Sequence, residues 1–458
     1  MPDDGPLPRH EALPVAVLGA GPIGLAAAAE LLERGLTPLV LEAGPEVASA
    51  VRAWGHVSMF SPWRYNIAPA AARLLARAGW HAPDPDIHPT GAALVAEYLA
   101  PLASLPELAP RIRLGARVVG ISRDEHDLLR DAGRDAAPFV LQFADAAGAL
   151  TELRAQAVVD CTGTWASPNP AGAHGLKAVG EAGNAERIAY GIPDVLGAER
   201  AAHAGRTTLV LGAGHSAMNA VLDLVALADQ APGTNVLWAF RRELRQVNFG
   251  GGGNDALAER GALGARALAL AGQGRVQVLA PFRVARFEQD GGPLRVIATD
   301  GQVARADRVI VATGFRPDLA ALGELRLALD PAVQAPRALA PLIDPNQHSC
   351  GTVRPHGEAE LRHPESGFYI AGMKSYGRAP TFLLATGHEQ VRSIVAYLAG
   401  DLAAAREVQL DLPETGVCST APALAPTASA VGCCTPATPQ GVCCPPKPAL
   451  AAGASCCG

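Results

Sequence analysis

An apolar strand that leads directly into a glycine-rich turn and a helix constrains this 458-residue chain more than any other feature. Val15–Leu18 predicts a buried strand, Gly19-Ala20-Gly21-Pro22-Ile23-Gly24 forms the turn, and Leu25–Arg34 predicts the helix. A second predicted strand, Pro38–Leu41, then ends at Glu42. In a unit of this kind, the helix N-terminus binds a pyrophosphate and the acid binds a ribose hydroxyl. The unit predicts a doubly wound α/β domain that binds a dinucleotide.

Each glycine of this first fingerprint has a physical role. Gly19 makes the tight turn, Gly21 lets the backbone approach the pyrophosphate, and Gly24 lets the helix pack closely on the strand. A glycine-rich helix start without any ligand is the alternative interpretation. The complete strand–turn–helix–strand context favours the dinucleotide site.

The same pattern recurs in the middle of the chain. Thr208–Leu211 predicts a strand, and Gly212-Ala213-Gly214-His215-Ser216-Ala217 follows it before a helix predicted from Met218 to about Ala228. Alanine suits the third position because that residue only has to be small. We expect Gly212, Gly214 and Ser216 to contact a second dinucleotide.

The strand after this second fingerprint ends in the opposite charge. Asn235–Phe240 leads to Arg241 and Arg242, with Arg245 close behind. Arginine pairs with a 2′-phosphate that an acid would repel, which favours NADPH over NADH. A solvated surface run of arginines is the alternative. FAD in the first site and NADPH in the second is the economical assignment.

Two further strand ends suggest that one domain is inserted in the other. Ala157–Trp165 and Arg308–Pro317 are apolar strands that break at Thr-Gly, at Gly163 and Gly314, where glycine allows positive φ near a cofactor. We therefore predict two Rossmann-like α/β domains, and the flavin domain is split by the insertion. The predicted boundaries are residues 1–178 and 307–411 for the FAD domain, 179–306 for the NADPH domain and 412–458 for a C-terminal tail.

The second part of the flavin domain carries two more predicted cofactor contacts. Gly367–Gly372 predicts a last strand, and a helix is predicted from Thr381, after Pro380, to about Leu398. A helix N-terminus near a flavin would stabilise the anion that forms on reduction. We expect the small residues Gly372 and Gly387 to lie next to the cofactor.

Taken together, residues 13–405 resemble the flavin-dependent monooxygenases with two dinucleotide-binding domains, within the pyridine nucleotide-disulfide oxidoreductase superfamily. A narrower resemblance, to flavoproteins encoded beside arsenic-resistance genes, depends on Trp54-Gly55-His56, on Phe60–Asn66 and on the cysteine-ended tail. The resemblance implies that NADPH reduces FAD and that dioxygen then oxidises a soft nucleophile, whose lone pair is on sulfur, nitrogen or trivalent arsenic. The Baeyer–Villiger fingerprint is not cleanly present, because Tyr190–Asp194 occupies its region.

Cysteine usage separates this chain from the disulfide reductases of the superfamily. Only Cys161 and Cys350 precede residue 418, and they are not a pair in sequence. Dithiol chemistry in the body of the chain is therefore not expected. A reductase or oxidase that produces hydrogen peroxide, and a thiol-based module that sequesters metal or metalloid ions, remain alternatives to the monooxygenase.

The aromatic segment Trp54–Asn66 follows the first unit, where this family places loops over the flavin. Arg64 and Asn66 are the candidate catalytic residues, as hydrogen-bond donors near the flavin or the bound nucleotide. The alternative is an ordinary aromatic core patch in which Arg64 forms a salt bridge.

Residues 412–458 contain no aromatic residue and only two charged ones, Glu414 and Lys447, and predict a disordered tail. Their cysteine spacing does not match zinc-ligand patterns, but clustered thiolates suit soft ions such as trivalent arsenic or mercury. An appendage without a role is the alternative. The predicted metal or metalloid ligands are three adjacent pairs: Cys433, Cys434, Cys443, Cys444, Cys456 and Cys457.

Composition excludes several other classes of protein. A formal net charge of −6 gives no basic footprint for nucleic acid, and no apolar run is long enough to predict a membrane span. Residues 13–29 carry no charge, but Asp3 and Asp4 precede them where a signal peptide would have positive charge. Two cysteines in the body suit a reducing compartment, so we expect a cytoplasmic protein. The sequence predicts no oligomeric state.

Overall fold

The computed structural model describes residues 13–145, 147–243, 258–347, 353–379 and 382–410. All of them fall within the larger of two units into which the chain divides, residues 1–421. Numbered along the chain, the strands are β1 (Val15–Leu18), β2 (Pro38–Leu41), β3 (Ile112–Arg113), β4 (Arg117–Arg123), β5 (Phe139–Ala144), β6 (Leu150–Ala155), β7 (Ala157–Asp160), β8 (Ile188–Tyr190), β9 (Thr207–Leu211), β10 (Asn235–Ala239), β11 (Gln277–Leu279), β12 (Val284–Glu288), β13 (Leu294–Ala298), β14 (Val303–Ala306), β15 (Arg308–Val311) and β16 (Phe368–Ile370).

The α-helices are α1 (Pro22–Glu33), α2 (Ser49–Ala53), α3 (Pro69–Arg77), α4 (Gly91–Ala93), α5 (Ala100–Ala103), α6 (Arg200–His203), α7 (His215–Gln230), α8 (Ala258–Gly272), α9 (Ala340–Ile343), α10 (Glu358–Leu361), α11 (Leu384–Leu398) and α12 (Leu402–Arg406). A π-helical stretch, Leu94–Leu99, joins α4 to α5. No helix of the described residues is both long and apolar enough to cross a membrane.

The first parallel sheet has the strand order β16-β7-β1-β2-β3. β1 lies at its centre, and every residue of β1 is at most 2% exposed. Strands covered on both faces must be apolar throughout, which explains the sequence Val-Ala-Val-Leu. The fully buried alanines Ala26–Ala29 let α1 pack closely between this sheet and α11.

The second parallel sheet has the order β11-β10-β9-β15-β8. It confirms two Rossmann-like halves, but it corrects the predicted boundary at residue 307. β15 pairs in parallel with both β9 and β8, so Arg308–Val311 belongs to the second sheet and not to the returning flavin domain. The sequence could not separate the two placements, because an apolar strand fits the centre of either sheet.

Two small antiparallel sheets complete the architecture. β4-β5-β6 covers the first sheet, and β12-β13-β14 shares a hydrophobic core with the second. The predicted helix at 381–398 begins at Leu384, residues 380 and 381 being outside the described residues, and the chain turns at Gly400, where φ is +83°.

The two Thr-Gly segments that join the sheets lie against each other. The amide of Asn169 donates to the carbonyl of Gly314 at 2.8 Å, and the amide of Arg316 donates to the carbonyl of Ser167 at 3.0 Å. The rings of Trp165 and Phe315 stack with centroids 5.1 Å apart. The chain therefore passes out to the second sheet and back through one hydrogen-bonded pair of linkers.

Candidate active site

The first fingerprint forms the turn that its glycines predict. Gly19 has a φ of +91°, and a Cβ there would lie 3.0 Å from the carbonyl oxygen of Cys161. A Cβ on Gly24 would lie 1.9 Å from the carbonyl oxygen of Gly19, so only glycine fits that position. Gly21 is the N-cap of α1, has no side-chain cap, and would hold a Cβ in open space. The first amides of α1 are thus free to receive a pyrophosphate, and the site fits FAD.

Glu42 lies at the carboxyl end of β2, next to this turn. One carboxylate oxygen accepts from the amide of Ala20 at 2.7 Å, and the other accepts from the amide of Gly44 at 2.8 Å. Both oxygens are thereby fixed, and each keeps a lone pair for a further donor. The arrangement can bind ribose hydroxyls, as the sequence predicts.

The second fingerprint turn has the same backbone geometry, but a tryptophan side chain holds it in place of a glutamate. Gly212 has a φ of +132°, and a Cβ there would lie 2.2 Å from the carbonyl oxygen of Ala312. The indole of Trp238 donates to the carbonyl of Gly212 at 2.7 Å and holds the turn on β10. Gly214 is the uncapped N-cap of α7, with open space where a Cβ would be, and Ser216 lies in the first turn of that helix.

The predicted phosphate-binding arginines follow β10 at the carboxyl edge of the second sheet. Arg241 and Arg242 are both exposed, and Arg241 donates to the carbonyl of Ala173 at 3.2 Å. Arg245 lies outside the described residues. Like Glu42 in the first site, both arginines follow the strand next to the fingerprint strand, but Phe240 takes the position that matches Glu42, and the arginines come one and two residues later.

The glycines of the two linkers and the two glycines in the second part of the flavin domain lie in different environments. Gly163 and Gly314 have φ values of +68° and +92°, as the sequence predicts, and a Cβ on Gly163 would be in open space. At Gly372 and Gly387 a Cβ would lie 3.1 Å and 2.5 Å from side-chain atoms of Ile23 on α1. Close packing of α11 and β16 on the first fingerprint is therefore a sufficient reason for glycine at these two positions.

The candidate catalytic residues lie together in the predicted aromatic loop. Asn66 is fully buried, and its side-chain Nδ2 donates to the backbone carbonyls of Ser61 at 2.8 Å and Pro62 at 3.1 Å. The half-exposed Arg64 forms an ion pair with Asp86, which is the alternative that the sequence left open. These contacts give both side chains structural partners in or near the loop, and their catalytic role stays a prediction.

This loop nevertheless reaches the second dinucleotide site. The ring of Phe60 lies 5.5 Å from the ring of His215, the first residue of α7. Burial raises the pKa of Asp223 on α7, and the charge of nearby His56 acts in the opposite direction. A segment of the flavin domain therefore contacts the helix start of the second fingerprint.

Sequence reasoning missed a buried ion pair beside the first fingerprint. Lys374 Nζ lies 2.6 Å from Asp160 Oδ2 and donates to Thr162 Oγ1 at 3.1 Å. Lys374 and Asp160 are only 5% and 1% exposed at their side chains. The composition could have drawn attention to Lys374, because the chain has only three lysines. A lysine within an apolar, glycine-rich stretch of an arginine-rich protein suggests a buried partner of opposite charge.

Cys161 is a buried free thiol in the described part of the chain. Burial raises its pKa well above the usual value, with a further rise from Asp160 that Lys374 opposes. Such a thiol is a poor nucleophile. No group of three potential metal ligands occurs among the described residues, and Cys350 and all six predicted tail ligands lie outside them.

With this geometry in place, the comparisons define the class of protein. Residues 13–335 match the family model of the pyridine nucleotide-disulphide oxidoreductases, and the chain belongs to that family. Comparison with proteins of curated function finds no significant match by sequence. The family and the structural neighbours bind FAD and use a nicotinamide dinucleotide.

Solved structures share the fold at low identity. The bacillithiol disulfide reductase of Bacillus cereus is 18% identical with a TM-score of 0.63, covering 85% of this chain and 99% of that one. The flavin-containing monooxygenase of Stenotrophomonas maltophilia is 22% identical with a TM-score of 0.53, covering 85% and 98%. The cadaverine monooxygenase of Erwinia amylovora is 14% identical with a TM-score of 0.58, covering 88% and 98%. The neighbours thus include both reductases and monooxygenases.

Proposed function

We propose that this protein is an FAD- and NADPH-dependent monooxygenase that oxidises a soft nucleophile, with a trivalent arsenical as the candidate substrate. When bound, the nicotinamide supplies a hydride and the flavin accepts it and delivers the electrons to dioxygen. One oxygen atom enters the substrate and the other leaves as water, while NADPH and the substrate each lose two electrons.

The choice of NADPH is supported by the charge at the carboxyl edges of the two sheets. Glu42 suits an unmodified ribose, whereas Arg241 and Arg242 suit a 2′-phosphate. The contact between Phe60 and His215 supports a role of flavin-domain residues beside the proposed second nucleotide site, where they would help to keep water from the hydride-transfer region.

The observation that carries oxygenation over dithiol chemistry is the state of Cys161. The described residues near the first fingerprint offer this buried thiol without a second cysteine beside it, and its raised pKa disfavours the thiolate. A protein disulfide is thereby disfavoured as the electron acceptor, which supports dioxygen in that role.

A second candidate function is an NADPH-dependent reductase or oxidase that does not oxygenate a substrate. The similarity in fold to a bacillithiol disulfide reductase favours it. In this alternative the electrons that NADPH supplies would reduce a small disulfide to two thiols, or would reduce dioxygen to hydrogen peroxide.

The product that dioxygen forms separates the two candidates. The flavin-loaded protein would be supplied with NADPH in air, with and without arsenite or an organic sulfide such as methyl p-tolyl sulfide. Oxygenation predicts that hydrogen peroxide per NADPH falls when substrate is added and that ¹⁸O from ¹⁸O₂ appears in the product. Stoichiometric hydrogen peroxide at every substrate concentration would support the oxidase and contradict our proposal.

For the tail, we propose that its cysteine pairs bind trivalent arsenic or another soft ion. Thiolates clustered in pairs are the donors that such ions prefer. A chain truncated after Asp411 should lose high-affinity binding of arsenite but keep NADPH-driven flavin reduction. Equal arsenite binding by the full and the truncated chain would show that the tail is not the site.

A further inference from the structure

The ion pair of Lys374 and Asp160 lies at the carboxyl edge of the first sheet, on the side away from Glu42. Asp160 ends β7, and Lys374 lies in a 3₁₀ turn, Gly372–Tyr376, that follows β16. In the strand order β16-β7-β1-β2-β3, both of these strands lie on one side of β1, whereas β2 lies on the other. The fingerprint turn and Glu42 leave this side of the site without an assigned contact to the cofactor.

The hydrogen bonds around the ion pair leave one donor and one acceptor. Asp160 accepts from Lys374 Nζ through Oδ2 and from the hydroxyl of Thr162 through Oδ1, both at 2.6 Å. Lys374 Nζ also donates to Thr162 Oγ1 at 3.1 Å, because an ammonium group carries only donors. Among the described residues, the ammonium thus has two partners for its three N–H groups. The hydroxyl oxygen likewise keeps one of its two lone pairs.

Both groups are held in place by their surroundings. The backbone amide of Thr162 donates to the same carboxylate at 3.1 Å. Gln390 of α11 fixes the turn that carries Lys374. The Gln390 side chain accepts from the amide of Gly372 at 2.8 Å and donates to the hydroxyl of Ser375 at 2.9 Å. A donor and an acceptor that are fixed before a ligand arrives cost little ordering entropy on binding.

The pair borders the space that the fingerprint leaves open. Thr162 is exposed and lies against the ammonium of Lys374, whose side chain is 5% exposed. A Cβ on Gly163, the next residue, would be in open space. A Cβ on Gly19 would lie 3.2 Å from the Cα of Thr162. Thr162 therefore lies directly beside the turn that suits a pyrophosphate.

We propose that Lys374 and Thr162 bind a hydroxyl group of the ribityl chain of FAD. A hydroxyl both donates and accepts, so it can accept from Lys374 and donate to Thr162. A phosphate or a ring carbonyl offers acceptors only, and Asp160 already balances the charge of Lys374. With the pyrophosphate at the start of α1 and the adenosine ribose at Glu42, the ribityl chain follows on the side of β7 and β16. This inference rests on the flavin site of the proposed function but not on its reaction.

The binding test uses the full chain freed of its flavin, together with FAD and its 2′-deoxy, 3′-deoxy and 4′-deoxy ribityl analogues. Flavin fluorescence on reconstitution gives each dissociation constant. We expect at least one analogue to bind about tenfold more weakly than FAD, because both hydrogen bonds of the missing hydroxyl are lost. Equal binding of FAD and all three analogues would overturn the proposal. If the chain takes up no FAD at all, the flavin site of the proposed function falls with it.

Variants show whether Lys374 and Thr162 make this contact. Thr162→Val keeps the ion pair, whereas Asp160→Val with Lys374→Met replaces it by apolar side chains. Each should weaken FAD binding about five- to tenfold and leave binding of the affected analogue nearly unchanged. Lys177→Met and Thr151→Val, at exposed side chains, are the matched controls and should keep the preference for FAD. A merely structural role would weaken FAD and the analogue by the same factor and contradict the assignment.

ADP separates this contact from the fingerprint turn. ADP carries the adenosine and both phosphates but no ribityl chain. Its affinity, measured by competition with FAD, should therefore be equal in the parent chain and in all of these variants. A loss of ADP affinity as large as the loss of FAD affinity would mean that the ion pair only supports the turn, which overturns the proposal. NADPH-driven flavin reduction at saturating FAD, measured in parallel, reports on the proposed function independently.

Discussion

The two fingerprint turns have the same backbone design but different side chains around it. Gly19 is pressed against the carbonyl of Cys161, and Gly212 is pressed against the carbonyl of Ala312, each at the end of the neighbouring central strand. After the strand that follows each fingerprint helix, the side chains differ. Glu42 accepts a hydrogen bond from the first turn, whereas Arg241 is exposed and donates to the carbonyl of Ala173. The comparison teaches that close backbone contacts determine the turn, whereas our proposal assigns the choice of nucleotide to the residues after the adjacent strands.

The neighbouring strands differ beneath the turns as well. Asp160 ends β7 in the first sheet, and the matching position of β15 holds Val311. Only the first of these requires a cation, and Lys374 provides it from beyond β16. The flavin domain thus has a buried ion pair at the position where the second domain is apolar.

The largest effect is expected when this ion pair is broken. Lys374→Met leaves the buried Asp160 without its cation, which should lower the free energy of unfolding by about 3–5 kcal/mol. Urea denaturation of the flavin-loaded protein measures it. Lys177→Met, at the exposed lysine of the described chain, is the matched control and should change stability by less than about 0.5 kcal/mol.

The double variant sharpens the same comparison. Asp160→Val with Lys374→Met copies the apolar arrangement of the second domain, and it should recover most of the stability that Lys374→Met loses. If Lys374→Met were no more harmful than Lys177→Met, the ion pair would not be the compensating partner of Asp160.

The next effect concerns the third glycine of the first turn. Gly24→Ala places a Cβ 1.9 Å from the carbonyl oxygen of Gly19, and overpacking of this kind costs about 1–3 kcal/mol. We expect a lower thermal midpoint and loss of bound flavin, measured by the ratio of absorbance at 450 and 280 nm. Gly21→Ala is the contrasting variant, because its Cβ meets open space: it should keep the midpoint of the apoprotein and lose flavin affinity. Equal flavin content in both variants and the parent would contradict the assigned site.

These contrasts also show how far the sequence could be read. Glycine spacing predicted both turns, both helices and Glu42, because each depends on local backbone constraints. The boundary at residue 307 was wrong, since the partner of an apolar strand such as Arg308–Val311 depends on distant residues. The Asp160–Lys374 pair was missed for the same reason: the two residues are far apart in the chain, and no local pattern links them.

A smaller effect is expected at the second site, on nucleotide choice and not on folding. Arg241→Gln with Arg242→Gln should raise the KM for NADPH roughly 10- to 100-fold and leave the KM for NADH nearly unchanged, because charged hydrogen bonds to the 2′-phosphate are lost. Arg266→Gln, an exposed arginine on α8, is the control. An equal rise of the KM values for NADPH and NADH would mean that the two arginines do not bind the 2′-phosphate.

The smallest effect is expected at the acid of the first site. Glu42→Gln keeps one carbonyl oxygen but brings an NH₂ group toward one of the two amides, Ala20 and Gly44, that now donate to the carboxylate. The dissociation constant of FAD should rise about tenfold, measured by flavin fluorescence on reconstitution of the apoprotein. Glu46→Gln, at an exposed acid four residues further along, should leave it unchanged. Because we assign Arg241 and Arg242 to the other nucleotide, Glu42→Gln should not alter the ratio of the KM values for NADPH and NADH. A change in that ratio would mean that the two nucleotide sites are not independent.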